Sequence, residues 1–388
     1  MSESRIDRRS FVKYLSLGTS ALAATTLKMP KAYSAEKVTT ESLLELLQEL
    51  IYARGPVGQE DEVRVICERE LSKRCDKTWI DPAGNVIGHI KGKGKKGTPI
   101  VRITAHMDEN AFMVKRVNSD GTLRVRKLGG IEPYNTGQGP VEILADSGII
   151  PGIQSLGSMH TTAETSGPNA AKNDVLDWGD VFIFTRKTAA ELDELGVHAG
   201  TRVVIARDRR KIIHIEDCVG GYFMDDRACI AIILGALSML KESNIKPDND
   251  IYIALTSQEE IGGYGAAYAT SHLPGDVTIA VDVGPAAREY NVRLNAEPII
   301  AYADGVGPYS KSVSNRMLGL ARDLGMKPQT AAWESYGSDA SLSKRYGHTG
   351  QSGLLCIATE NTHGYEIIQS EGLINCSRLL TAYMEKPL

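Results

Sequence analysis

Five segments, far apart in order, each offer a carboxylate or an imidazole: His106-Met107-Asp108-Glu109, Asp225-Asp226-Arg227, Gln258-Glu259-Glu260, Asp282 and His363. Singly, each has an ordinary structural reading. A histidine at a strand end is most often hydrogen-bonded packing, an aspartate before a helix is a cap, and paired glutamates suit a solvated first turn. Gathered beside apolar strands, however, the acids repel one another unless cations neutralise them. Two divalent ions balance Asp225, Asp282 and Glu260 together with one hydroxide, the imidazoles of His106 and His363 staying neutral. Mixed Asp/Glu and His donors with open positions suit zinc, cobalt or manganese better than calcium, which prefers oxygen cages.

The elements must bring these residues to one edge. Residues 99–106 read as a buried strand ending in polar groups, preceded by helical spacing over 42–51 and 60–74 and by a turn entering a strand at 81–87. From about residue 207 helices and strands alternate: a helix over 226–241, a strand over 251–257, a helix after Gly262, a strand over 277–283, a helix over 312–324, a strand over 353–359 and a last helix near 371–384. That rhythm predicts an α/β fold, a mixed, mostly parallel sheet flanked by helices, with ligands beyond the strands' carboxyl ends. Between them the texture changes. Short β-like segments rich in Gly, Pro and Asp, among them 178–185 and 189–195, predict an inserted β-rich domain over 112–205, dividing a catalytic domain of 35–111 and 206–388.

Composition excludes whole classes. The 388 residues are 42% hydrophobic and 24% charged, which rules out disorder, collagen and coiled coil, and a formal charge of −4 leaves no basic surface for nucleic acid. Six cysteines without a CxxC pair form neither a disulfide scaffold nor a zinc ribbon, and all six read as small buried hydrophobes. Residues 91–97 read as a solvated Lys/Gly hairpin without function. His89, His160, His198, His214, His272 and His348 read as surface or structural histidines, with His160 the one placed to loop toward the site.

The N-terminus reads as an address. Asp7-Arg8-Arg9-Ser10-Phe11-Val12-Lys13 resembles the twin-arginine export signature, and an apolar run too short to span a bilayer follows before Lys28. Small residues at 32–34 predict cleavage before Ala35, hence a signal peptide over 1–34, the twin-arginine export machinery as a partner and a periplasmic location, with a membrane tether if uncleaved. Residues 1–34 carry six Lys/Arg and two Asp/Glu, so their removal takes the formal charge from −4 to −8. Export of an already folded chain suits a protein that collects its metal ions beforehand.

Taken in order, Ala105-His106-Met107-Asp108-Glu109, Asp225-Asp226-Arg227, Gln258-Glu259-Glu260-Ile261-Gly262, Val281-Asp282-Val283, Gly337-Ser338-Asp339-Ala340 and Thr362-His363-Gly364 are similar to the tetrahedral-type dinuclear metallo-aminopeptidases, the family of glutamyl and deblocking aminopeptidases. The resemblance implies hydrolysis of the N-terminal peptide bond of peptides by two divalent ions, zinc or cobalt. It implies that Asp225 bridges both, that His106 and Asp282 hold one, that Glu260 and His363 hold the other, that Glu259 is the general base and that Asp108 orients His106. It also implies that the insert is a dimerisation domain, with a dodecamer built from dimers. The chain departs from the family's pattern at Ala111 and Cys229, where Gly is usual, and at Glu360-Asn361, where an Arg normally precedes the histidine. Related carboxypeptidases and deacylases use the same kind of centre on other amides, while an inactive exported binding protein would lack a ligand or Glu259.

Overall fold

Strand Val101–His106 is buried at every residue, a pattern that requires cover on both faces of its sheet. The computed structural model describes residues 38–161, 167–172 and 174–388, so the expected export signal of 1–34 lies outside the described residues. The sheet runs Lys77–Ile80, Val86–Ile90, Ile251–Thr256, Val101–His106, Val277–Pro285, Gln351–Glu360, Tyr365–Gln369, Cys218–Tyr222 and Ile213–Ile215, with Ile299–Asp304 branching from Gln351–Glu360. Only the four central strands of that path pair in parallel. Both flanks are antiparallel, so the sheet is mixed as expected, with parallel pairing only among these four strands and, in the branch, between Ile299–Asp304 and Gln329–Ala332. The strands Tyr365–Gln369, Cys218–Tyr222 and Ile213–Ile215 have no counterpart in the sequence reading, because they are short and the last is wholly exposed.

Helix Met224–Glu242 is buried around its whole girth from Met224 to Leu237. It lies between the sheet and the helices Thr40–Tyr52 and Glu371–Glu385, and its residues Ile230, Ile233 and Leu237 join Leu43, Leu47, Leu50, Leu373 and Leu380 in the main core. Helix Thr40–Tyr52 starts at a capping box formed by Thr39 and Ser42 and buries Leu43, Leu47, Leu50 and Ile51, the spacing of a single apolar stripe. Helices Tyr264–His272 and Asp339–Arg345 pack on the opposite side. Among the described residues no helix is long and apolar enough to cross a membrane.

The inserted segment folds into a closed six-stranded barrel, in the order Ala111–Val117, Leu123–Leu128, Phe182–Phe184, Gly148–Ser155, Gly139–Ala145 and Arg202–Ile205. Phe112, Val114, Leu123, Ile143, Ile183 and Val203 fill a core of its own. Residues 189–195, expected as β-like, instead begin with helix Ala189–Glu194, because Thr188 and Glu191 form a capping box at its start. The 91–97 segment is not a self-paired hairpin: the Lys93 and Lys95 amides donate to the carbonyls of Pro247 and Asp248, and their ammonium groups reach the Asp248 carboxylate. Four cysteines are buried as expected, while Cys75 and Cys218 are half-buried, and all six are free thiols.

A buried ion triad holds the place where the chain leaves the sheet and returns. Glu109, between the His106 strand and the barrel, accepts two bonds from Arg210 (2.6 and 3.0 Å) and one from Arg227 (2.8 Å), all three side chains being fully buried. Arg210, just past the last barrel strand, also donates to the carbonyls of Ile51 and Ala53. Removing one member of such a group strands the others without water or partner. Glu109→Ala is therefore expected to lower unfolding free energy by about 3–5 kcal/mol in urea titration; a loss below about 1 kcal/mol would show that the triad does not hold the crossover.

Candidate metal centre

His106, the last residue of its strand, points Nε2 at Asp225 Oδ1 (2.9 Å) and lies 4.0 Å from Glu259 Oε2. Its backbone amide donates to Asp226 Oδ2 at 3.0 Å. Its Nδ1 faces the Asp108 carbonyl at 3.1 Å, closer than the Asp108 carboxylate at 3.6 Å. That carboxylate instead accepts the Glu259 and Glu260 amides at 2.9 and 3.1 Å. Asp108 thus serves His106 mainly through its backbone, and its side chain clamps the turn that carries both glutamates.

Asp225 and Asp226 precede the regular part of their helix: Phe223 is left-handed at φ 64°, and the Asp225–Asp226 peptide is cis. The two oxygens of Asp225 divide the site. Oδ1 meets His106, and Oδ2 lies 3.4 Å from His363 Nε2, which is also 3.9 Å from Glu260 Oε2. Ligand-capable atoms of His106, Asp226 and Asp282 lie within 4.8 Å of one another, as do those of His106, Asp225 and Glu260. All five expected ligands and Glu259 therefore meet at one edge of the central strands. His160 is exposed and belongs to neither group. His89 stacks on Tyr252 and bonds Asp250, and His348 bonds the Ala267 carbonyl, in keeping with structural roles.

Besides Asp226, which accepts the His106 amide and groups with His106 and Asp282, three participants have no role assigned from sequence. Glu366, fully buried, accepts the Asp225 amide through Oε2 (3.0 Å) and the His363 amide through Oε1 (2.8 Å). Asn110 donates to Glu260 Oε1 at 2.5 Å. Asp339, in the noted Gly-Ser-Asp-Ala segment, accepts from the Thr256 hydroxyl at 2.7 Å. The signal for Glu366 was an acid standing among apolar residues in Tyr365-Glu366-Ile367-Ile368, legible only once that stretch is known to be a strand.

The electrostatics call for cations. Burial, reinforced by neighbouring carboxylates, pushes Glu259, Asp282 and Asp226 well above the usual carboxyl range, and moves Glu260 to about 7, Asp339 to about 6 and Glu366 to about 8. Asp225 is lowered: burial opposes this, but the bonds from His106 and His363 prevail. Against the same effect of burial, Asp108 and Asp225 hold His106 well above its usual value, and Glu260 with Asp225 raises His363 to about 11. Among the described residues, Arg210 and Arg227 both bond Glu109, two other nitrogens of Arg227 have no hydrogen-bond partner, and neither do a buried oxygen of Asp226 and one of Asp339. Converging oxygen and imidazole donors, with unmet negative charge and unpartnered oxygens, fit divalent metal ions. A narrow cleft lined by Asn110, Ile131, Tyr222, Phe223, Asp225 and His363 adjoins the centre. A wider groove between Arg64, Val65, Ile80 and Pro82 contains none of these ligands.

The family description "M42 glutamyl aminopeptidase" matches residues 84–379. YhfE of Bacillus subtilis is 26% identical over 356 residues, covering 89% of this chain and 98% of YhfE. The lysyl aminopeptidase of Pyrococcus furiosus is 30% identical over 241 residues, 62% of this chain and 66% of that one. The solved aminopeptidase of Desulfurococcus kamchatkensis superposes with a TM-score of 0.80 at 26% identity, over 89% and 95% of the two chains. A TET1 structure described as a dodecamer gives 0.77 at 23% identity, over 88% and 99%.

The titrations give a prediction for metal removal. Groups whose folded pKa is raised bind more protons folded than unfolded, so they lower stability as pH rises from the usual carboxyl range to their folded values. Glu260, Asp339, Glu366 and His363 all act in that direction between about pH 5 and 8; lowered Asp225 acts only at more acid pH. In chelator, the thermal midpoint is expected to fall as pH rises from about 5 to 8, and saturating zinc or cobalt is expected to abolish that fall. A metal-free midpoint that climbs over this range would contradict the assignment.

Proposed function

The chain belongs to the M42 glutamyl aminopeptidase family and is a peptide hydrolase of the metal-dependent aminopeptidase class, and on that premise we propose that it removes N-terminal residues from peptides through two divalent ions, zinc or cobalt, held by His106, Asp225, Glu260, Asp282 and His363. The observation that carries this reading is the carboxylate of Asp225, one oxygen facing His106 and the other His363. Asp225 would then be the ligand offered to both ions, with His106 and Asp282 holding one and Glu260 and His363 the other.

When bound, the ions supply Lewis acidity toward water and the scissile carbonyl. The chain supplies the proton handling. Glu259, 4.0 Å from His106 at the inner wall of the site, accepts a proton from the attacking water on its carboxylate and returns it to the leaving amine. Asp108 fixes the position of this carboxylate by holding the Glu259 and Glu260 amides. The substrate's α-amino group would be held by one of the two ions, which would favour substrates with an unblocked N-terminus.

The same reading includes export of the folded protein through the twin-arginine machinery to the periplasm, directed by Arg8 and Arg9, and a homo-oligomer whose dimer contact is the 112–205 insert. Replacing Arg8 and Arg9 by Lys is expected to retain the protein in the cytoplasm; unchanged periplasmic recovery contradicts the export reading.

Glu259→Gln is expected to keep both metals and substrate affinity but to lose at least ~10²-fold in kcat on amino-acid p-nitroanilides. Turnover within a few-fold of the unmodified enzyme would remove Glu259 from proton transfer. Equal hydrolysis of N-acetylated and free-amine peptides would favour the deacylase or carboxypeptidase alternative.

A further inference from the structure

The barrel is not merely appended to the metal centre; its backbone enters it. Strand Leu123–Leu128 ends in Gly129-Gly130, and the Gly130 carbonyl takes a hydrogen bond from His363 Nδ1 at 2.8 Å. A carbonyl only accepts, so Nδ1 carries the proton and Nε2 is turned toward Asp225 and Glu260. The approach is as close as glycine allows. A Cβ on Gly130 would lie 3.0 Å from two atoms of the His363 ring, and one on Gly129 would lie 2.0 Å from Asn110 Oδ1 and 3.2 Å from Glu260 Oε2. From the other side Glu366 holds the His363 and Asp225 amides with one carboxylate. His363 itself sits in the left-handed region at φ 64°, a conformation that surrounding contacts must impose on a non-glycine residue.

We propose that Gly130 and Glu366 are positioning residues for one half of the centre: the barrel's Gly129-Gly130 segment sets the ring of His363 and Glu366 sets its backbone, so the Glu260–His363 metal position is complete only with that segment docked. This rests on the two-ion reading above. It assigns the insert a part in metal occupancy beyond any role in subunit contact. Asn110, immediately before the first barrel strand, supports the same half through Glu260 Oε1.

The test uses cobalt(II) as the probe, added to the metal-free full chain, with bound ions counted by mass spectrometry and affinities measured by calorimetry. Gly130→Ala forces the ring to shift by a few tenths of an ångström. Glu366→Gln keeps the size but opposes an NH2 group to one of the two amides. Gly319→Ala, in helix Lys311–Asp323 with open space at its Cβ, is the control. The unmodified chain and Gly319→Ala are expected to bind two ions; Gly130→Ala is expected to retain one at unchanged affinity and weaken the other by ~10–100-fold, and Glu366→Gln, which also frees the amide of the shared Asp225, to weaken that same ion at least ~10-fold more than the first, with unaltered circular dichroism. If Gly130→Ala fails to fold, Glu366→Gln decides alone. Two ions at unmodified affinity in the folded variants, or equal weakening of both ions, overturns the inference and leaves the proposed function standing. Fewer than two ions in the unmodified chain overturns both.

Discussion

Mutual repulsion of buried carboxylates is the constraint on which this structure turns. Asp108, Asp226, Glu259, Asp282, Asp339 and Glu366 come together beyond the ends of the central strands, each almost wholly shielded or lining the enclosed site. Asp108 spends its charge on two amides and Glu366 on two more. The others face Asp225, Glu260 and the two imidazoles with little else to oppose them. A chain that buries so much like charge needs positive ions in the same place, and the oxygen and nitrogen donors already converge there.

The remainder of the fold can be understood as the framework that enforces this crowding. Parallel pairing of Ile251–Thr256 with Val101–His106 sets Thr256 level with His106, so the turn bearing Glu259 and Glu260 emerges beside the histidine. Helix Met224–Glu242 is anchored on all sides by apolar packing, which holds its irregular first turn against the strand ends. The Glu109–Arg210–Arg227 triad ties both crossings to the barrel together, with Glu109 shortly after His106 and Arg227 shortly after Asp225. Rigid layers far from the chemistry thereby determine where each carboxylate points.

Much of this was legible in the residues themselves. Buried strands that end in His106, carry Asp282 near their end or lead into the Glu259-Glu260 pair announce themselves as apolar runs that meet polar groups, and the α/β rhythm places those groups at one edge. The inserted barrel was legible as a change of texture, though not its closure. What escaped was chiefly backbone-mediated. Glu366 acts by receiving two amides, and Gly130 acts through a carbonyl, so neither leaves a side-chain pattern to recognise. The antiparallel flank that carries His363 into place depends on the short strands Tyr365–Gln369 and Cys218–Tyr222, whose pairing joins residues distant in sequence. The export motif, clear as a string of residues, lies outside the described structure.

The central claim is that two divalent ions neutralise this cluster by sharing Asp225. Anomalous X-ray scattering from crystals of the cobalt-loaded protein tests it most directly. Two cobalt peaks are predicted, both in contact with Asp225, one also touching His106 and Asp282 and the other Glu260 and His363. A single peak, or two peaks that do not share Asp225, would contradict the account.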